Sequence, residues 1–246
     1  MGTPYPNPIS PSQTRIGWIG IGVMGAAMAS RLLSAGYSLT IYARTPSKAH
    51  PLQSQGAQLA DSPFQLAQLS DVVFTMVGHP PDVRSNILDP ETGLLWGLRP
   101  NSVSVDMTSS HPALAREIFN AARAKDCWTV DAPVSGGDIG AREGKLAILA
   151  GGDASVVEWL APVFDVLGKV TYVGPAGSGQ NCKIANQIVG GGEFGGVERR
   201  VGVCRAGRVG CAAVYGGSEG RGGRVNGDGI VWGKDYREGL QAWWVC

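Results

Sequence analysis

Arg15-Ile16-Gly17-Trp18-Ile19-Gly20-Ile21-Gly22-Val23-Met24-Gly25 is the stretch on which the fold of this chain turns. Arg15 to Ile19 reads as a short buried strand. Gly25 to Ala35 reads as a helix, with Met28 and Leu32 four apart and Gly36 as its stop. Between them stands a Gly-x-Gly-x-x-Gly loop, Gly20-Ile21-Gly22-Val23-Met24-Gly25. Between a strand and a helix, such a loop holds the pyrophosphate of a dinucleotide. Its glycines let the backbone approach the phosphates, and the helix start supplies free N–H groups and a positive dipole end. The bland alternative is an ordinary βα turn; the context on both sides favours the binding loop.

The next strand, Ser38 to Tyr42, refines the ligand. NAD-binding folds set an acidic residue here, against the ribose 2′-hydroxyl. No Asp or Glu lies between Gly36 and Lys48; Arg44, Thr45, Ser47 and Lys48 occupy the loop instead. Arginine forks onto phosphate oxygens and keeps its charge at any working pH. The expected cofactor is therefore NADP, held through Arg44, Thr45 and Lys48, with NAD as the alternative. A merely solvated basic loop is the competing reading.

The α/β pattern continues. Helices are expected around Pro63–Leu69, Asp82–Leu88, Pro112–Lys125 and Ala154–Leu167, the last with Pro162 inside it as a candidate kink. Strands are expected at Asp71–Val77, Val103–Asp106, Trp128–Asp131, Leu146–Ala150 and Val170–Val173. Strands alternating with helices predict a mostly parallel, doubly wound α/β sheet of the Rossmann type. Ligands of such sheets bind beyond the strand C-termini. Gly20–Gly25, Val77 with Gly78–Pro80, Thr108–Ser110 and Ala132–Gly137 all fall there.

The 246 residues suffice for one large domain or two modest ones. A net charge of +1 provides no global field for nucleic acid or acidic membranes. No apolar run reaches the length of a membrane span. Met1 to Thr14 is Pro-rich and uncharged, unlike a secretory signal or an Arg-rich transit peptide, so a cytoplasmic protein is expected. Cys127, Cys182, Cys204, Cys211 and Cys246 show no C-x-x-C and no metal spacing, and read as free thiols. His50, His79 and His111 each precede a proline and read as loop or helix-start residues, so no metal site is expected.

Two later stretches can carry chemistry. Asp131-Ala132-Pro133-Val134-Ser135-Gly136-Gly137 ends a strand in a glycine turn, whose backbone N–H groups and Ser135 hydroxyl can hold a carboxylate. A simple turn before Ala141 is the alternative. Gly177-Ser178-Gly179-Gln180-Asn181-Cys182-Lys183-Ile184-Ala185-Asn186-Gln187 leads into a helix on which Lys183, Asn186 and Gln187 share one side. A lysine beside an amide can donate a proton and polarise a carbonyl; a surface lysine in a first turn explains the spacing equally well.

Taken in order, GIGVMG (20–25), YARTPSK (42–48), VDMTSS (105–110), DAPVSGG (131–137) and GSGQNCKIANQ (177–187) closely resemble the β-hydroxyacid dehydrogenase family. Within it they resemble the 3-hydroxyisobutyrate dehydrogenase-like proteins of plants, with their 6-phosphogluconate dehydrogenase-like NADP-binding domain. The resemblance runs from about Arg15 to Gln187. It implies that Lys183 is the catalytic lysine and that Ser135, Gly136 and Gly137 meet the substrate carboxylate. It also implies that Ser109 lies near the nicotinamide and that Asn186 or Gln187 helps hold the substrate oxygen. The implied reaction is reversible hydride transfer between the nicotinamide and a small hydroxy acid or semialdehyde. The choice among 3-hydroxyisobutyrate, glyoxylate and succinic semialdehyde stays open.

The chain departs from the family near Gly190. From Gly191 to Cys246 it is dominated by Gly, Arg and Val, with no leucine before Leu240. Lys234-Asp235 does not match the family's Lys-Asp pair, and Ser218–Arg224 is a single short Arg-Gly match to RNA-binding segments. The expected organisation is a Pro-rich segment (1–14), an NADP-binding Rossmann domain (15–178), the start of an interdomain helix (179–190) and a Gly/Arg-rich irregular tail (191–246). On this reading the chain is truncated before the family's all-α C-terminal domain. That domain usually builds the dimer and closes the active site, so the oligomeric state stays open; a non-catalytic dinucleotide-binding fragment is the first alternative, and a partner- or RNA-binding protein acting through the tail is the second. Relatives are often mitochondrial, which is the alternative compartment.

Overall fold

Val72-Val73-Phe74-Thr75 and Val103-Ser104-Val105-Asp106 are buried at every position. Strands of that kind must be covered on both faces, as in the centre of a parallel sheet. The computed structural model describes residues 7–190 and two paired dipeptide strands, Val225–Asn226 and Gly229–Ile230. The irregular reading of the tail otherwise lies outside the described residues.

Six parallel strands build the first part of the sheet: β1 (Arg15–Ile19), β2 (Ser38–Tyr42), β3 (Gln58–Leu59), β4 (Val72–Thr75), β5 (Val103–Asp106) and β6 (Trp128–Asp131). Their spatial order is β3-β2-β1-β4-β5-β6, the order of doubly wound dinucleotide-binding sheets. The sheet then changes direction. β7 (Val134–Ser135) and β8 (Leu146–Gly152) pair antiparallel, β8 also pairs antiparallel with β6, and β9 (Gly168–Gly174) lies parallel to β8.

The helices are α1 (Val23–Ser34), α2 (His50–Gln53), α3 (Pro63–Gln68), α4 (Pro80–Leu88), α5 (Leu94–Gly97) and α6 (Pro112–Arg123). After them come α7 (Gly137–Glu143), α8 (Ala154–Trp159), α9 (Ala161–Leu167) and α10 (Ser178–Gly190). They cover both faces. On one face Trp18, Phe74 and Phe164 pack with Met28 and Leu32; the Trp18 and Phe74 rings stack at 5.5 Å, and Phe164 meets Phe74 edge-on at 6.4 Å. On the other, Ile19 and Val73 pack under Leu66, Ile87, Leu94, Leu114 and Ile118. The start of β1 is pinned by charge. The Arg15 guanidinium forks onto Asp71, with N···O distances of 3.1 and 2.7 Å, and Arg99 Nη2 reaches the same carboxylate at 2.8 Å.

The single helix expected over Ala154–Leu167 is two helices, α8 and α9, hinged at Leu160. Pro162 sits in the first turn of α9, where its missing N–H costs nothing; inside a continuous helix it would clash with the preceding turn. The apolar stripe Val156, Leu160, Val163, Phe164 and Leu167 survives the break, fully buried. α1 starts at Val23 rather than Gly25, so the last residues of the glycine motif already belong to the helix. His79 and His111 are the N-cap residues of α4 and α6. Cys127 and Cys182 are buried free thiols; the other three cysteines lie outside the described residues. No helix among the described residues is long and apolar enough to cross a membrane.

Candidate active site

The candidate residues rise from one edge of the sheet, at the C-terminal ends of β1, β2, β4, β5 and β6. After β1, Gly20 takes φ +94, and any Cβ there would collide with the Met76 carbonyl at the end of β4. Only glycine lets the loop lie that close to its neighbour. Trp18 Nε1 donates to the Gly20 carbonyl at 3.0 Å and steadies the turn. Gly22 differs: a Cβ built on it meets nothing within 4 Å, so its side-chain space is open. It is the N-cap of α1, which has no side-chain cap and no acidic residue in its first turn. An uncapped helix start of 12 residues beside vacant space fits a diphosphate, held by the N–H groups of residues 22–25.

After β2, Arg44, Thr45 and Lys48 are all exposed. Arg44 is 88% exposed, and its Nη1 lies 3.5 Å from Asp82 Oδ1 in the first turn of α4. The acid that faces Arg44 thus comes from the first turn of α4, a neighbour that sequence distance conceals. After β4, the half-buried Val77 donates its N–H to Thr108 Oγ1 at 3.0 Å. After β5, Thr108 N–H donates to Asp106 Oδ1 at 3.1 Å and Ser109 is exposed at the rim.

The turn after β6 and the helix α10 meet. Ser135 is half-buried at the end of β7, and Gly136 and Gly137 both take positive φ as the chain enters α7. From α10, Asn186 Nδ2 approaches Ser135 Oγ at 3.5 Å, while Gln187, one residue on, is exposed. Lys183, one turn earlier, is only 9% exposed, whereas its neighbour Ile184 is 37% exposed. The structure therefore brings Lys183's helix, Asn186 and Ser135 together and leaves Gln187 outside that contact.

Sequence reasoning passed over two residues that hold this arrangement. Asp131 ends β6 and accepts from the backbone N–H groups of Gly177 at 2.7 Å and Gln180 at 2.9 Å. Gln180, 1% exposed, accepts from Ser110 N–H with Oε1 and donates from Nε2 to the Thr108 carbonyl, both at 2.7 Å. The available signals were an acid closing an apolar strand and an amide three residues before the lysine. Asp131 stands in register with Asp106 on β5. Burial pushes both carboxyls up to about 7, against the N–H groups that favour their charged forms; the charge of Asp106 raises Asp131 further.

Residues 15–174 match the family described as the NAD binding domain of 6-phosphogluconate dehydrogenase. The chain belongs to that family. The strand order and the glycine loop agree with that description. The Arabidopsis thaliana protein named "Probable 3-hydroxyisobutyrate dehydrogenase-like 3, mitochondrial" is 62% identical over 190 residues, covering 77% of this chain and 59% of the relative. Mycobacterium tuberculosis 3-hydroxyisobutyrate dehydrogenase with L-serine is similar in structure, with a TM-score of 0.65 and 31% identity, over 72% of this chain and 62% of that one. Psf3 in complex with NADP+ and 2-OPP is similar with a TM-score of 0.66 and 28% identity, over 71% and 64% of the two chains. The chain spans 54–62% of the length of the three Arabidopsis relatives it matches.

Proposed function

We propose that this chain is an NADP-linked oxidoreductase that interconverts a small hydroxy acid and its aldehyde or ketone, of the 3-hydroxyisobutyrate type. The observation that carries the reading is the Asn186–Ser135 contact. It sets the helix of Lys183 over the turn that ends β7, at the same sheet edge as Ser109 and the glycine loop. A bound nicotinamide supplies or accepts the hydride. The chain's own residues do the rest. Ser135 and the N–H groups of Gly136 and Gly137 hold the substrate carboxylate, with Asn186 orienting the Ser135 hydroxyl. Lys183 Nζ donates a proton to the carbonyl oxygen in reduction and takes it back in oxidation. Residues 20–25 hold the diphosphate, Val77 and Ser109 flank the nicotinamide side, and Arg44 with Thr45 and Lys48 takes the 2′-phosphate. The mitochondrial naming of the Arabidopsis relatives supports that compartment here too.

The test is NADPH oxidation with glyoxylate and small semialdehydes, beside Lys183→Ala, with NADPH binding followed by calorimetry. Turnover that disappears in the variant while binding persists is the expected result; equal turnover in both removes Lys183 from the reaction. A second reading has its own support. Ile184 is exposed on the helix that carries Lys183, so water has access close to the reacting centre. NADPH binding with no turnover on any substrate would identify a binding protein rather than an enzyme.

A further inference from the structure

The first turn of α10 is capped from outside. Asn181 N–H donates to the Gly177 carbonyl at 3.1 Å, which makes Gly177 the N-cap residue and Gln180 the third residue of the helix. In a capping box the N-cap side chain accepts from the third residue's N–H, and the third residue's Glu or Gln folds back to the N-cap N–H. Gly177 has no side chain to offer. Asp131, 46 and 49 residues away in sequence, accepts both N–H groups itself. Gln180 is thereby released from its local duty. Its amide instead makes two 2.7 Å bonds, to the carbonyl of Thr108 and the N–H of Ser110. Those are the backbone groups on either side of Ser109. The clamp is dry: Asp131, Thr108, Ser178 and Gln180 are each no more than 5% exposed. It is also tightly fitted, because a Cβ on Gly179 would collide with the Asp131 and Leu149 carbonyls.

We infer that Asp131 and Gln180 are positioning residues that form one staple, fixing Lys183 on α10 relative to Ser109 on the loop after β5. The inference rests on the proposed role of Lys183 and adds how that role is kept in register. Gln180 and Lys183 are three residues apart, so the turn that grips the Ser109 loop is the turn that presents the lysine. Asp131 bonds the Gly177 and Gln180 N–H groups at the helix start. It acts by holding the helix start, without which the Gln180 amide has no fixed base.

The staple makes the two ends of the bond network open together. Amide hydrogen exchange on the 246-residue chain, resolved at Ser110, Gly177 and Gln180, reads this. In the wild-type chain the three amides are expected to share one protection factor and one denaturant dependence, as members of one cooperative unit do. Asp131→Asn is expected to speed exchange at Ser110, which Asp131 does not touch, by about tenfold, and Gln180→Met to do the same at Gly177; leaving a buried donor unpaired has a penalty of that order. Amine labelling of Lys183 should quicken in both variants. If Asp131→Asn does not fold, Asp131→Glu, which keeps the carboxyl and moves it by one methylene, gives the same pattern. Gln180→Glu keeps the Ser110 acceptor but loses the Thr108 donor, and should fall between wild type and Gln180→Met. Independent protection of the three amides in the wild-type chain, or exchange that rises only at the directly bonded amides, overturns the staple. That outcome leaves the reaction standing, whereas a Lys183→Ala chain that turns over normally removes the reaction and leaves the exchange pattern standing.

Discussion

Asp106→Asn should stabilise the protein at high pH and do nothing of the kind in acid. The two carboxyls face each other in register, both buried, and each is pushed by burial from its ordinary 3.8 up to about 7. In the unfolded chain both ionise near pH 4; in the folded chain they hold protons until about 7. Between those values the folded state binds more protons, so stability falls as pH rises and levels off above the folded value. A lift of that size is worth about 4 kcal/mol for one isolated group. The pair shares the effect, and the new amide must find a partner for its N–H groups at a cost of about 1 kcal/mol or more. The net expectation at pH 8 is a gain of about 2 kcal/mol, or roughly 4–8 °C in Tm for a chain of this size. At pH 4.5 the gain vanishes. Asp71, Asp89, Glu117 and Glu143 are shifted the other way, so the stability they add is lost only as pH falls below the ordinary carboxylate range. Thermal melts from pH 5 to 8 therefore isolate the buried pair. A variant destabilised equally at pH 5 and pH 8 would falsify the account, because the cost would then be one of packing rather than charge.

Gly22→Ala meets no atom and needs no unusual φ, so Tm should hold within a degree or two while the NADPH dissociation constant rises about tenfold or more, as the methyl enters the phosphate space. Loss of stability without loss of affinity would place the phosphates elsewhere. Arg44→Ala should weaken NADPH by about tenfold or more, the worth of one charge-assisted hydrogen-bond pair, and leave NADH within about twofold; equal losses for the two cofactors would remove Arg44 from the 2′-phosphate. Asp71→Ala removes the acceptor shared by Arg15 and Arg99. Since both arginines are about half exposed, the expected cost in urea titration is only about 1–2 kcal/mol, and a change under a few tenths would show the clamp to be ornamental.

β1, β2, β5 and β6 were legible to the residue, because each is a compact apolar run closed by Gly, Arg, Asp or a turn. Central strands hide from water on both faces, and their hydrophobicity is local information. At Leu160 the sequence was half legible: Pro162 marked a kink, but one periodic stripe spans α8 and α9, and whether the helix bends or restarts depends on backbone geometry. The short elements α2, α5, α7, β3 and β7 are set by tertiary contacts rather than by periodicity. At the candidate site, the glycine loop and the lysine helix are local patterns and could be read directly. Asn186 and Gln187 could be named but not separated, because both lie on Lys183's side of a helix. Which amide meets Ser135 depends on how α10 lies over β7. Asp82, Asp131 and Gln180 were missed for a common reason: each acts on a partner at least 38 residues away in sequence.

Trp18 gives the protein an optical probe of its own. Its ring is buried and stacked on Phe74, and its indole N–H holds the carbonyl of the first glycine in the phosphate loop. An indole so enclosed emits toward the blue, and its emission responds to the strength of that one hydrogen bond. Because the chain holds six other tryptophans, the signal is the difference between wild type and Trp18→Phe, and a ligand that draws the Gly20 carbonyl aside is expected to appear in that difference.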